Sequence, residues 1–175
     1  MPYLFEHLIG GWIAGKIIEL ARKKRLSHIS WFVILVGAII PDIDYIMEWT
    51  WFKETHRTFT HSILFVLFMG VLLFLVFSIV KRFSNRYLDK INHKHIGILF
   101  SIGILTHLLL DMIFVPGVPL LWPYDLYFSY FGVFQKSMIQ KLAWPLAKEF
   151  KFALFDMAAG GGWILAITLW RKLRL

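Results

Sequence analysis

Four histidines and three aspartates could do chemistry together: His7, His56, His61 and His107, with Asp42, Asp44 and Asp111. Imidazole nitrogen and carboxylate oxygen, with no sulfur, suit Zn²⁺ first, and Mn²⁺, Fe²⁺ or Mg²⁺ as well. The chain has no cysteine, which removes thiolate ligands and disulfides. Seven candidates exceed one tetrahedral ion. They would suit two ions roughly 3.5–4 Å apart, with Asp44 or Asp111 as the bridge, as in phosphoester hydrolases.

The spacing is informative in pieces. His107 and Asp111 are four residues apart, on one face of a helix. Alone, that pair could equally be a buried imidazole–carboxylate hydrogen bond. Pro41-Asp42-Ile43-Asp44 reads as a helix end with solvated carboxylates. In His56-Arg57-Thr58-Phe59-Thr60-His61-Ser62, either Thr60 or Ser62 could cap the following helix. Capping does not explain two histidines five residues apart. Arg57, between them, could offer its planar fork to a phosphate oxygen, contact a lipid headgroup or pair with Asp42. His28, His93 and His95 lie in basic, polar surroundings and read as surface residues.

The elements that carry these residues belong to a membrane protein. Of the 175 residues, 58% are hydrophobic and only 17% charged, well off the balance of a soluble domain. Such hydrophobicity also excludes disorder. The expected fold is a single domain over residues 1–175, an all-α integral membrane bundle of about five helices. Ser62 to Val80 has no charge over 19 residues, enough to cross a hydrocarbon core of roughly 30 Å. Ile96 to Val115 and Phe152 to Trp170 are further spans. Ser30 to Met47 starts apolar and ends polar. Tyr3 to Ala21 is the weakest, and its early polar residues argue against a signal peptide. Lys136 to Phe150 alternates basic and apolar residues at helical spacing, which predicts an additional interfacial amphipathic helix bent near Pro145.

Charge then orders the spans. Twelve of the 19 basic residues lie in three stretches, Arg22–Arg25, Lys81–Lys94 and Arg171–Arg174. Six lie on the other side, from Lys53 and Arg57 to Lys151. The positive-inside rule puts the twelve in the cytoplasm, with the N-terminus outside and the C-terminus inside. His7, Asp42, Asp44, His56, His61, His107 and Asp111 then all fall at the outer face. The topology used only Lys and Arg, so this convergence is independent support for a site. The net charge of +8 fits topology and anionic lipid better than nucleic acid, for which no basic groove with interleaved aromatics is present.

With Pro41-Asp42-Ile43-Asp44, His56-Arg57-Thr58-Phe59-Thr60-His61-Ser62, Thr106-His107-Leu108-Leu109-Leu110-Asp111 and Pro116-Gly117-Val118-Pro119-Leu120-Leu121-Trp122-Pro123, the chain resembles the YdjM-like inner-membrane metal-dependent hydrolases. His7 before Gly10-Gly11 also fits. The resemblance covers His7 to Pro123. It implies a metal-dependent hydrolase, distantly similar to zinc-dependent phospholipase C, an all-helical fold with scattered His and Asp ligands.

The expected function is hydrolysis of a phosphoester, in a lipid or lipid-linked substrate, at the outer membrane face. Asp42 or Asp44 could take a proton from water. The rivals are a divalent-metal or proton transporter and a non-catalytic protein with a structural metal. A transporter needs polar groups at every depth, whereas the inner halves of the third and fourth spans carry only Ser78 and Ser101.

Overall fold

The computed structural model describes residues 4–44, 57–83, 93–113, 116–135, 158, 160–163, 165 and 166. The chain is mostly helical, with one small two-stranded sheet. Helix α1 spans Leu4–Arg22, α2 spans His28–Ile39, α3 spans Ile63–Phe83 and α4 spans His93–Asp111. Strands β1, Leu126–Ser129, and β2, Gly132–Gln135, form an antiparallel hairpin. The expected helix over Lys136–Phe150, most of the expected fifth span and His56 lie outside the described residues.

Helix α4 is central and packs against α1, α2 and α3. Ile34 and Val33 of α2, Phe65 and Val66 of α3, and Ile104 and Leu108 of α4 form the buried core. Helices α2 and α4 approach closely. A β-carbon on Gly37 would strike the Phe100 carbonyl, and one on Gly103 would strike the Ile34 carbonyl. Two glycines facing each other therefore let the backbones touch.

Helix α3 is long and apolar enough to cross a membrane. Unlike the core helix of a soluble protein, it exposes most of its apolar length, including Leu67, Phe68, Val71, Leu75 and Ile79. That surface matches hydrocarbon, not water. Ser62 caps the helix: its Oγ accepts from the Phe65 N–H at 3.2 Å and donates to the Phe59 carbonyl at 2.7 Å. Thr60, the other capping candidate, is used elsewhere.

Two helices end earlier than their apolar runs suggest. Pro41 has no N–H to continue the α-helical ladder, so α2 tightens into a 3₁₀ turn over Ile40–Ile43. Helix α4 stops at Asp111, not Val115, because the hairpin folds back on its end. The Met112 carbonyl accepts from the Ser129 hydroxyl at 3.1 Å and the Tyr130 N–H at 3.0 Å. The hairpin itself was not expected from the sequence. Its register pairs Tyr127 with Phe134 and Phe128 with Val133, and Val118 adds a bridge to Phe128. The left-handed φ of 88° at Gly117 brings the backbone against Phe128 with no room for a side chain.

Candidate metal centre

The structure gathers His7, Asp42, Asp44, Arg57, His61, His107 and Asp111 at one end of the bundle. His7 comes from the second turn of α1. Asp42 and Asp44 come from the 3₁₀ turn after α2, His61 from a 3₁₀ turn before α3, and His107 and Asp111 from the last turns of α4. His7, His61 and His107 are fully buried, and Asp44, Arg57 and Asp111 nearly so. Two overlapping groups have donor atoms within 4.8 Å of one another: His7, His107 and Asp111, and Asp42, His61 and His107.

The distances define the shape of the centre. His61 Nε2 lies 3.2 Å from His107 Nε2, 3.5 Å from Asp42 Oδ1 and 3.3 Å from Asp111 Oδ2. His107 Nε2 lies 3.4 Å from Asp42 Oδ1 and 3.8 Å from Asp111 Oδ2. Donors about 2.1 Å from a tetrahedral zinc ion are separated by roughly 3.4 Å. The His61, His107 and Asp42 atoms match that spacing, and Asp111 Oδ2 lies on the same two imidazole nitrogens at 3.3 and 3.8 Å. The second oxygens, Asp42 Oδ2 and Asp111 Oδ1, face His7 Nε2 at 3.8 and 3.7 Å. Each carboxylate thus shows one oxygen to the His61–His107 pair and the other to His7, the disposition of a bridging carboxylate.

The imidazoles are aimed from behind. His107 Nδ1 lies 2.8 Å from the Ala38 carbonyl, which can only accept, so Nδ1 carries the proton and Nε2 offers its lone pair to the centre. Asp44 does the same for His61. Its Oδ2 is 3.4 Å from His61 Nδ1 and accepts from the Thr60 hydroxyl at 2.5 Å and the Arg57 N–H at 3.2 Å. Burial disfavours a charged His61, but hydrogen bonds to Asp111, Asp42 and Asp44 outweigh it and push its pKa up to about 10.

Asp44 sits behind His61, on its Nδ1 side, whereas Asp42 and Asp111 each face both His7 and the His61–His107 pair. Arg57 is buried, so it is not a headgroup contact, and its pair is Asp111 in place of Asp42: Nη2 lies 3.1 Å from Asp111 Oδ1. That approach lacks hydrogen-bond alignment, and Nε has no hydrogen-bond partner among the described residues. Nη1 donates to the Gly117 carbonyl at 3.0 Å, and the Tyr127 hydroxyl donates to the Arg57 carbonyl at 3.2 Å. These contacts hold Arg57 at a left-handed φ of 57°. His28 and His95 are exposed and away from the centre.

Several supporting groups had no sequence signal. Ala38 acts through its carbonyl, and Tyr127 lies 70 residues from Arg57. Thr60 had one in hindsight, a hydroxyl next to a ligand histidine. Gly117 acts through its carbonyl, which meets Arg57.

A family model, YdjM inner membrane protein, matches residues 1–172. The chain belongs to the YdjM inner membrane protein family. The match extends the resemblance seen over His7 to Pro123 to almost the entire sequence. No curated protein and no solved structure matches the chain.

Proposed function

We propose that the protein is a membrane-bound, metal-dependent hydrolase acting on a phosphoester of a lipid or lipid-linked substrate at the outer membrane face. His61, His107, Asp42 and Asp111 would hold a divalent ion, zinc by donor set and spacing. His7, with the second oxygen of Asp111, would hold a second cation, which leaves the second oxygen of Asp42 for a proton. The donors fit: the fully buried His7 has no hydrogen-bond partner on either nitrogen among the described residues, an arrangement that costs stability unless a ligand completes it. A bound divalent metal supplies Lewis acidity, which makes water acidic near neutrality and polarises a phosphoryl oxygen.

The chain's own groups divide the remaining work. Asp42 is the most exposed carboxylate of the centre, at 21%, and is the group placed to take a proton from arriving water. Asp44 holds His61 in position. Arg57, whose Nη2 lies beside Asp111, keeps a buried Nε–H without a partner among the described residues, a donor that an anion could use. The Gly117 carbonyl holds Arg57 in place beside the centre.

A structural metal is the rival: four protein donors, if all bound one ion, would close it. The catalytic reading rests on what a closed structural site does not need, the buried, unpartnered nitrogens of His7 and Arg57 beside that set. Transport is disfavoured. Ser78 donates to the Phe74 carbonyl of its own helix and Ser101 to the Val66 carbonyl, so neither opens a polar path.

The test is metal analysis of the purified protein joined to turnover of lipid phosphoesters in detergent or bilayer. Wild type should carry divalent metal and hydrolyse at least one such substrate. Asp42→Asn should cut turnover by about 10²–10⁴-fold while the other three donors keep metal bound. Arg57→Lys should lower turnover more than metal content, since a point charge replaces a fork. A metal-loaded wild type that cleaves no lipid phosphoester with Zn²⁺, Mn²⁺ or Mg²⁺ would leave the structural reading standing.

A further inference from the structure

The far end of α1 carries a second polar feature that the metal chemistry does not use. Where α1 turns into α2, a cleft of about 300 Å³ is lined by Lys16, Glu19, Leu20, Lys23, Lys24 and Arg25. Fifteen residues of helix separate His7 from Arg22, roughly 22 Å at 1.5 Å per residue, so cleft and metal centre lie at opposite ends of α1.

The corner is built. Lys23 takes a left-handed φ of 51°, and the Lys23 and Lys24 N–H groups donate to the Leu20 and Glu19 carbonyls at 3.3 Å. Glu19 then ties the corner together. Its carboxylate accepts from the Leu26 N–H at 2.8 Å, the Trp31 indole N–H at 3.3 Å and the Lys16 ammonium at 2.8 Å. The one acidic group of the cleft is thus consumed by Lys16 and by the fold. Lys23, Lys24 and Arg25 are all exposed and leave three positive charges with no ion-pair partner among the described residues.

An apolar wall leads into this rim. Ile13, Ile17 and Leu20 recur at helical spacing on one face of α1, and Leu20 is 78% exposed. In a protein of an inner membrane family, a cationic rim at a helix end, above a bare apolar stripe, matches a lipid in both charge and polarity. We propose that this corner binds an anionic phospholipid, with the phosphate at Lys23, Lys24 and Arg25 and an acyl chain along Ile13, Ile17 and Leu20. The positive-inside rule explains why basic residues lie on this side, but not why they form a cleft with its acid neutralised.

The experiment titrates detergent-purified protein with phosphatidylglycerol or phosphatidylcholine and reads retained lipid by native mass spectrometry and stability by thermal shift. Wild type should hold phosphatidylglycerol at least about tenfold more tightly, since each cation at an anionic headgroup is worth a severalfold factor. The Lys23→Gln, Lys24→Gln, Arg25→Gln triple variant should lose that preference. Lys81→Gln with Arg82→Gln, at the end of α3, should keep it. Leu20→Gln, on an exposed position, should weaken lipid retention without unfolding the chain and supplies the test if the triple variant cannot be purified. Undiminished retention in the triple variant or in Leu20→Gln, an equal loss in the Lys81/Arg82 variant, or full displacement by inorganic phosphate would each overturn the proposal.

Discussion

At the scale of single residues, His61 joins the cluster's charge to the metal chemistry we propose for it. Its folded pKa is raised from 6.5 to about 10 by the surrounding carboxylates, although burial opposes this. A raised folded pKa means the protonated ring stabilises the metal-free fold. That contribution is complete below pH 6.5 and is lost as pH climbs through about 10. Denaturation of metal-free protein should therefore show falling stability across that window, and His61→Gln should flatten the dependence. Metal must displace the same proton, so uptake should strengthen with pH and release protons into a weakly buffered solution. Asp44 is separable from the ligands. Asp44→Asn should cost about 10–100-fold in metal affinity through lost orientation of His61, measured by competition with a chelator. His107→Ala and Asp111→Ala should remove most bound metal, and His95→Ala should leave it unchanged. The ligand types were legible in the sequence because intramembrane His and Asp are rare. The division between donors and positioning groups was not, since Asp42 and Asp44 are two residues apart and only the 3₁₀ turn decides which faces the centre.

At the scale of elements, the centre depends on how closely α2 and α4 approach. The Ala38 carbonyl reaches His107 Nδ1 only because Gly37 and Gly103 let the two backbones meet. Gly103→Val would push a side chain against the Ile34 carbonyl and the Ala38 N–H. Such overpacking typically costs about 1–3 kcal/mol. The variant should also lose metal affinity although no ligand has changed, which equilibrium dialysis at fixed folded fraction would show. The apolar runs foretold α1, α3 and α4 to within a few residues at most of their ends, because a long uncharged stretch has few alternatives to helix in a membrane. Their C-terminal limits were harder to read. Apolar residues continue past Asp111, and what stops α4 is a hairpin whose strands come from Leu126 onward. The hairpin was missed because its Tyr, Phe and Val positions also suit an interfacial loop, and pairing across Tyr130 and Phe131 is a tertiary choice.

At the scale of the whole molecule, the two ends of the bundle are chemically opposite. One end collects every described member of the His/Asp set. The other carries Arg22 at the end of α1 with Lys23, Lys24 and Arg25 after it, and Lys81 and Arg82 in the last turn of α3. Successive helices deliver the same chemistry to the same end: α1 and α3 begin at the metal centre, and α2 and α4 finish there. This alternation would suit up-and-down membrane crossing, and in the orientation we propose the basic end is the cytoplasmic one. Without native cysteine, single substitutions make the orientation measurable in intact cells. Asp125→Cys lies beside the hairpin at the metal end and should react with a membrane-impermeant maleimide. Lys24→Cys at the basic end should react only after the membrane is opened. The reverse pattern would place the metal centre on the cytoplasmic side and would require a substrate from that leaflet, with the coordination chemistry unchanged. Labelling at both positions in intact cells would break the link between charge and orientation, and with it the assignment of the centre to the outer face.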